Sequence, residues 1–347
     1  AGSVALLFAG LGIQSSVAGV PSRQFQQIQQ YQMIVSENPS ATNQDKAELE
    51  EVLKGQDIQA YQKIYSKTLD KDFKGKAGLQ TITLMMTEKE DLTPFIHLQS
   101  HQQELTLKDG AVITAKLAQL AGVKVGKTLE IEGKELTVAA ITENYVGHFI
   151  YMSQASYEQI YGQLPQANTY LVSLRDTSAT SIERQAGLLM NQSAVSSVVQ
   201  NASAIRLFDS VASSLNQTMT ILVIVSVLLA IVILYNLTNI NVAERIRELS
   251  TIKVLGFHNN EVTLYIYRET IVLSLMGIVL GLVSGFYLHQ FLIQMISPAT
   301  ILFYPQVGWE VYVIPVAAVS IILTLLGFFV NYHLRKVDML EALKSVE

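Results

Sequence analysis

Few residues in this chain combine a type and a spacing that could do chemistry. Ala121-Gly122-Val123-Lys124-Val125-Gly126-Lys127-Thr128 fits a relaxed phosphate-binding loop, with alanine in place of the first glycine. Such a loop holds phosphate when it follows a strand and opens a helix, because the helix N-terminus presents its free N–H groups. Here a helical pattern precedes the loop and an alternating strand follows, so the segment reads as a structural turn. His97 and His101 stand four residues apart and could share a metal on a helix. Pro94 just upstream, the Gln/Ser-rich setting and the missing third ligand weigh against that. His148, beside Gly147, stands alone and reads as a surface or packing residue. There is no HExxH zinc pattern and no GxSxG elbow, and the acids read as a solvated face. With no cysteine, disulfides, thiolate metal sites and cysteine nucleophiles are excluded. No catalytic residue, metal or cofactor is expected.

The elements around these residues point elsewhere. Of 347 residues 50% are apolar and only 15% charged, well below the roughly 25% usual in soluble domains. Charges are absent from Ala1–Ser22, Ser210–Ala243, Thr270–Trp309 and Val311–Leu334. A net charge of −5 argues against nucleic-acid binding, which needs a basic face. A spanning helix takes about 20 mostly apolar residues. Residues 219–238, 270–296 and 311–331 meet that requirement. Residues 1–20 are shorter and hold Gln14, Ser15 and Ser16; they read as the end of a truncated first span, the competing reading being a signal-peptide remnant. The expected fold is thus an α-helical membrane protein of about four transmembrane helices carrying a large extracytoplasmic α+β domain.

Arg245, Arg247, Lys253 and Arg268 fall in the loop between the second and third spans, and Arg335, Lys336 and Lys344 in the tail. The loop 297–310 has no Lys or Arg. The positive-inside rule therefore puts 241–262 and the C-terminus in the cytoplasm, and 21–200 with 297–310 outside. Trp309, Tyr304 and Tyr312 cluster at the outer end of the last span, as an interfacial belt would.

Within 21–200 the patterns predict strands at 31–36, 79–86, 105–107 and 170–174, and helices at 45–54, 111–121 and 180–191. They also predict a hairpin of 128–132 with 135–142 around Glu132-Gly133-Lys134. Asn43 or Thr42 would cap the helix at 45–54. Residues 201–218 carry an apolar stripe of Ile205, Phe208, Val211, Ala212, Leu215 and Met219. One helix over 201–238 would be about 57 Å long. It is either a rod that couples the outer domain to the membrane or a plain anchor. Gly277, Gly281 and Gly285 recur every four residues, the spacing of a close helix–helix contact in a membrane, either within the chain or with another subunit. No charged residue lies deep in a span, which argues against a proton relay.

Residues 242–255, Val-Ala-Glu-Arg-Ile-Arg-Glu-Leu-Ser-Thr-Ile-Lys-Val-Leu, place apolar side chains every three or four positions, and Gly256 ends the pattern. This is an amphipathic helix at the inner surface. The stretch resembles the motif after the second span of FtsX-like (MacB-type) ABC transporter permeases, where it forms the coupling helix that docks on the ATPase subunit. The residues that carry the resemblance are Glu244, Arg245, Arg247, Glu248, Leu249, Lys253, Leu255 and Gly256. Residues 335–343 are similar to the family's closing element, with Asp338 and Glu341 spaced as a capping box. Residues 110–152 resemble the family's extracellular domain, and the order of span, outer domain and three spans is its layout.

The resemblance implies a membrane subunit that passes motion from a separate cytoplasmic ABC ATPase, through a coupling helix, to the outer domain, for export, extraction or mechanotransmission. The chain itself would not be an enzyme. Its partners would be that ATPase, a second permease half or copy, the lipid bilayer, and an extracellular substrate or protein that the sequence does not name. The domain plan is a first span at 1–20, an extracytoplasmic domain at 21–200, a stalk at 201–218 and a permease domain at 219–347. The missing start implies the C-terminal half of a two-half permease like those of Gram-positive bacteria, a single four-span permease being the alternative. A non-transporting receptor or scaffold with an outer ligand-binding domain is the rival function.

Overall fold

A computed structural model describes residues 1–73, 75, 77–88, 92–100, 103–107, 110–245, 252, 259–303 and 306–336. The chain separates into two compact units: Ala1–Ala18 with Ser213–Ile296 and Pro305–Glu347, and Gly19–Ala212 with Ser297–Tyr304.

The second unit is built on a nine-stranded sheet. In chain order the strands are β1 (Met33–Glu37), β2 (Ile58–Phe73), β3 (Gly78–Thr87), β6 (Ala111–Thr114), β7 (Thr128–Ile131), β8 (Lys134–Thr142), β9 (His148–Ser153), β10 (Thr169–Leu174) and β11 (Val195–Gln200), and the short β4 (Gln99–Ser100) and β5 (Gln103–Glu104) pair apart from them. Their order across the sheet is β11-β1-β10-β2-β3-β9-β6-β8-β7. The pairs β3–β9 and β6–β8 are parallel and the other neighbours antiparallel. β2 is long enough to serve two lobes: its first half pairs with β10 and its second with β3. Each lobe has its own core. One gathers Met33, Val35, Leu49, Leu53, Val172 and Leu189; the other gathers Ile82, Leu84, Ile113, Leu117, Leu136 and Ile150.

Helices α2 (Asn43–Leu53), α3 (Ala115–Ala121), α4 (Gln154–Tyr161) and α5 (Ala179–Met190) pack on this sheet, after α1 (Gly2–Ala18) of the other unit. α2 opens with Thr42, whose hydroxyl accepts from the Asp45 N–H while the Asp45 carboxylate accepts from the Thr42 N–H. Ser153 and Ser178 cap α4 and α5 in the same way, each accepting from the N–H three residues on. The β7–β8 hairpin turns through Glu132 at φ 49° and Gly133 at φ 73°, with Ile131 opposite Lys134. That two-residue turn needs positive φ at both positions, which is where glycine helps.

Two expectations need correction. Residues 111–121 are not one helix: Ala111–Thr114 is a buried strand and only Ala115–Ala121 is helical. Strand structure lies at Gln103–Glu104 and not at 105–107, where Leu107 packs inward without pairing.

The first unit contains α1 and the long helices α6 (Asn201–Glu244), which begins in the sheet unit, α7 (Asn259–Ile296) and α8 (Glu310–Lys336). Among the described residues four helical stretches are long and apolar enough to cross a membrane: Gly2–Ile28, Asn201–Glu244, Arg268–Ile296 and Glu310–Tyr332. α6 is unbroken over 44 residues, about 66 Å at 1.5 Å each, and extends six residues past the expected end. Pro315 sits inside α8. Val4, Ala230, Leu234, Ile278, Val319 and Ile322 form the apolar centre of this unit.

Candidate functional site

The glycine face of α7 meets α1. A Cβ at Gly281 would lie 2.6 Å from the Val4 Cβ and 2.8 Å from the Ala1 carbonyl oxygen. At Gly285 it would lie 2.7 Å from the Phe8 Cβ and 3.1 Å from the Ala5 carbonyl oxygen. Gly277 approaches the Ala1 nitrogen, 3.3 Å from where its Cβ would stand. The contacts advance together along both helices, so α1 and α7 run parallel. One turn further the roles reverse: Gly12 of α1 makes room for His289 of α7, whose ring would be 2.7 Å from a Gly12 Cβ. His289 is fully buried, with Nε2 3.1 Å from the Ser16 hydroxyl. Gln14 donates to the Thr220 hydroxyl of α6 at 3.0 Å. The sequence reading placed the three glycines on one face but did not identify α1, or His289 with Ser16 and Gly12, as their counterpart.

Of the expected ATPase-coupling residues, Glu244 is the exposed last residue of α6 and Arg245 pairs with Glu269 of α7. Asn241 donates to the Thr270 hydroxyl at 3.1 Å, a second tie between the same helices. Arg247, Glu248, Leu249, Lys253, Leu255 and Gly256 lie outside the described residues, as do Asp338, Glu341 and His101.

The sheet unit holds a junction that the sequence reading missed. After α1 the chain makes a short turn at Val20–Ser22 and a π-helical turn at Arg23–Ile28. The π turn carries Gln24, which is completely buried. Its Nε2 donates to the Asn144 Oδ1 at 2.8 Å, and its Oε1 accepts from the Tyr145 N–H at 2.7 Å and the Val146 N–H at 3.2 Å. One side chain therefore satisfies the loop between β8 and β9. On its other side that loop holds the segment 297–303. The Gly147 N–H donates to the Thr300 carbonyl and the Leu302 N–H to the Tyr145 carbonyl, both at 2.8 Å, around an antiparallel bridge of Val146 with Ile301. Gly147 is at φ 81°, and a Cβ there would press on the Phe149 ring at 2.9 Å.

Two basic side chains adjoin the segments that this bridge joins. Lys116 is 7% exposed, and its Nζ donates to the Ser297 hydroxyl at 3.2 Å. Of the two readings of His148, surface or packing, the structure shows the buried one: it is 2% exposed, and neither ring nitrogen has a hydrogen-bond partner among the described residues. Burial, and then the charge of Lys116, hold the imidazole below its usual pKa. Burial lowers Lys116 too. Lone polar residues such as these carry no periodic signal, so only the fold could bring them together.

The remaining candidates are structural. Residues 121–128 leave α3 through Gly122 at φ 68°, turn with Gly126 at φ 81°, and enter β7, so a helix precedes the loop and a strand follows it. The His97 N–H donates to the Ile28 carbonyl at 2.8 Å. No cluster of three or more metal-ligating side chains occurs among the described residues.

Residues 220–339 match the family model described as FtsX-like permease C-terminal. No curated protein matches the chain. Among solved structures, the periplasmic region of MacB from Actinobacillus actinomycetemcomitans is similar at 11% identity and a TM-score of 0.30, covering 52% of this chain and 94% of that one. The extracellular domain of the noncanonic ABC-type transporter YknZ from Gram-positive bacteria is similar at 16% identity and a TM-score of 0.29, covering 49% of this chain and 98% of that one.

Proposed function

We propose, from the FtsX-like permease C-terminal domain that residues 220–339 carry, that the chain is the membrane subunit of an ABC-type complex, passing motion between a separate cytoplasmic ATPase and an outer sheet domain. The family match over α6, α7 and α8 is the observation that carries this reading. Four helices of spanning length and apolarity among the described residues support it. The distribution of Lys and Arg supports a cytoplasmic loop at 241–262, a cytoplasmic C-terminus and an outer sheet unit.

In this reading the loop with Glu244, Arg245, Arg247, Glu248, Leu249, Lys253, Leu255 and Gly256 docks on the ATPase. The Arg245–Glu269 pair holds the end of α6 to the start of the third span. α6 serves as the rod toward the outer domain, its 44 residues free of proline and glycine, the usual causes of a kink. The junction of Gln24, Asn144 and the segment 297–303 supplies two further links, because that segment and the turn after α1 are each continuous in sequence with a span. ATP is bound and hydrolysed by the partner, and a second permease half or copy completes the complex.

A single cysteine at Leu255 in the cysteine-free chain tests this. In membranes it should crosslink to the ATPase encoded beside the chain, with a yield that changes with nucleotide. Leu255→Asp should leave insertion intact and abolish the stimulation of ATPase activity, because it puts a charge on the docking face. A folded, inserted protein that gives no crosslink at Leu255 or its neighbours would count for a receptor or scaffold instead.

A further inference from the structure

An orphaned imidazole at 2% exposure is rare, since buried polar groups in native proteins almost always find a partner. A buried lysine without a carboxylate is equally uncommon. Here the two sit together, and among the described residues Lys116 forms no ion pair and is the charged group that acts on the His148 ring. The strands beside β9 offer no counter-charge: β3 sets Ile82 opposite His148, and β6 contributes Val112 and Ile113. Glu143, in the preceding loop, engages the Gln99 amide at 3.4 Å.

The site accommodates a neutral ring but not a charged one. An imidazolium would be a second cation beside Lys116 with no acceptor for either N–H, and removing an unpaired ion from water is strongly unfavourable. The charge is relieved by letting water in. Both side chains are tied to the junction: Lys116 is held by Ser297, and His148 follows Gly147, whose N–H is held by Thr300. We propose that His148 is a proton sensor whose protonation unfastens the segment 297–303 from the β8–β9 loop. The device depends on this chain's residues and not on the identity of a partner; that the medium it senses is the outer one rests on the topology proposed above.

The sign follows from linkage. The closed junction favours the neutral ring, so the open form binds the proton more tightly. Closure is complete above the ordinary histidine pKa, about 6.5, and is lost as pH falls through the interval below it, by up to about tenfold per pH unit.

Hydrogen exchange on the full chain in nanodiscs at pH 7.5, 6.5 and 5.5 tests this, each rate being divided by the intrinsic rate at that pH. The reporters are the Gly147 and Leu302 amides, which make the two bridging bonds. Amides of the β2–β3 ladder are the internal reference. The expected result is an opening constant that rises less than twofold from 7.5 to 6.5 and up to about fivefold from 6.5 to 5.5. His148→Gln should remove the dependence. Lys116→Met should weaken it, because the like charge is gone. A flat profile in the unmodified protein, or an unchanged slope in His148→Gln with the reference ladder intact, overturns the proposal. Should His148→Gln fail to fold, NMR titration of the imidazole in the unmodified protein decides: a ring titrating below 6.5 in step with the amides supports the sensor, and one titrating at or above 6.5 overturns it.

Discussion

The sheet unit and the helical unit both have apolar centres but differ in how much apolar surface they leave exposed. In the sheet unit Ile82, Ile113, Leu136 and Ile150 are wholly inside, as the removal of apolar surface from water requires. In the helical unit Leu280, Leu325 and Phe328 are each more than 60% exposed, while Ser226, Thr270 and His289 are wholly buried, the last against Gly12. Burying leucine gains little when the surroundings are as apolar as leucine. What remains is close backbone approach and polar pairing between helices. An apolar exterior is the pattern expected of helices solvated by lipid, and it means the two units fail for different reasons.

The largest effect should come from filling the glycine face. Gly281→Leu starts with a Cβ 2.6 Å from the Val4 Cβ, and the Ala1 backbone beside it cannot rotate away as a side chain could. Overpacking of this kind costs about 3 kcal/mol. In detergent, thermal unfolding should shift down and assembly should fall, while exchange of the β2–β3 ladder should not change. If the ladder loosens equally, the two units share one cooperative transition and the contrast between them fails.

A smaller effect should follow from Gln24→Leu. It keeps most of the volume but strips the Tyr145 and Val146 N–H groups and the Asn144 amide oxygen of their buried partner. Orphaning such groups costs about 2 kcal/mol. The loss should appear as faster exchange in 144–147 and 297–303, with the glycine-face contacts of α7 unaffected. Unchanged exchange there would show that the β8–β9 loop is held from the 297–303 side alone.

This division also decides how much could be read from the sequence. The four apolar stretches, the alternating β7–β8 hairpin and the spacing of Gly277, Gly281 and Gly285 are periodic, and periodicity survives without coordinates. Residues 111–121 misled because a four-residue strand buried on both faces has no alternation, so Ala111–Thr114 merged into the helix behind it. β2 was invisible for the opposite reason. Its lysines and half-exposed faces blur the alternation along 16 residues, and pairing with β10 and then β3 is what keeps it extended. The junction was beyond reach altogether. Gln24 meets Asn144 120 residues away and Lys116 meets Ser297 181 residues away, and each is one polar residue among many. Of the expected site residues, the glycines appear with α1 as their neighbour, whereas the coupling helix past Arg245 remains a matter for the Leu255 crosslink.

The smallest effect tests the contrast from the water side. The sheet unit closes helix ends with side chains, at Thr42, Ser153 and Ser178, because free N–H groups facing water are still better served by a fixed acceptor. Thr42→Ala removes the acceptor for the Asp45 N–H and leaves Asp45 reaching back alone. Losing such a cap costs about 1 kcal/mol of helix stability. The Thr42 hydrogen bonds also hold the Asp45 carboxyl below its usual pKa, so their contribution is present above the ordinary aspartate range and is lost as pH falls through it. The difference between Thr42→Ala and the unmodified protein should therefore shrink toward pH 3. It should appear in the exchange of α2, whose Leu49 and Leu53 pack into the sheet core, and not in the melting of the helical unit. A shift in both would mean that the stability of the water-solvated unit sets that of the helices, and the two would then have to be treated as one.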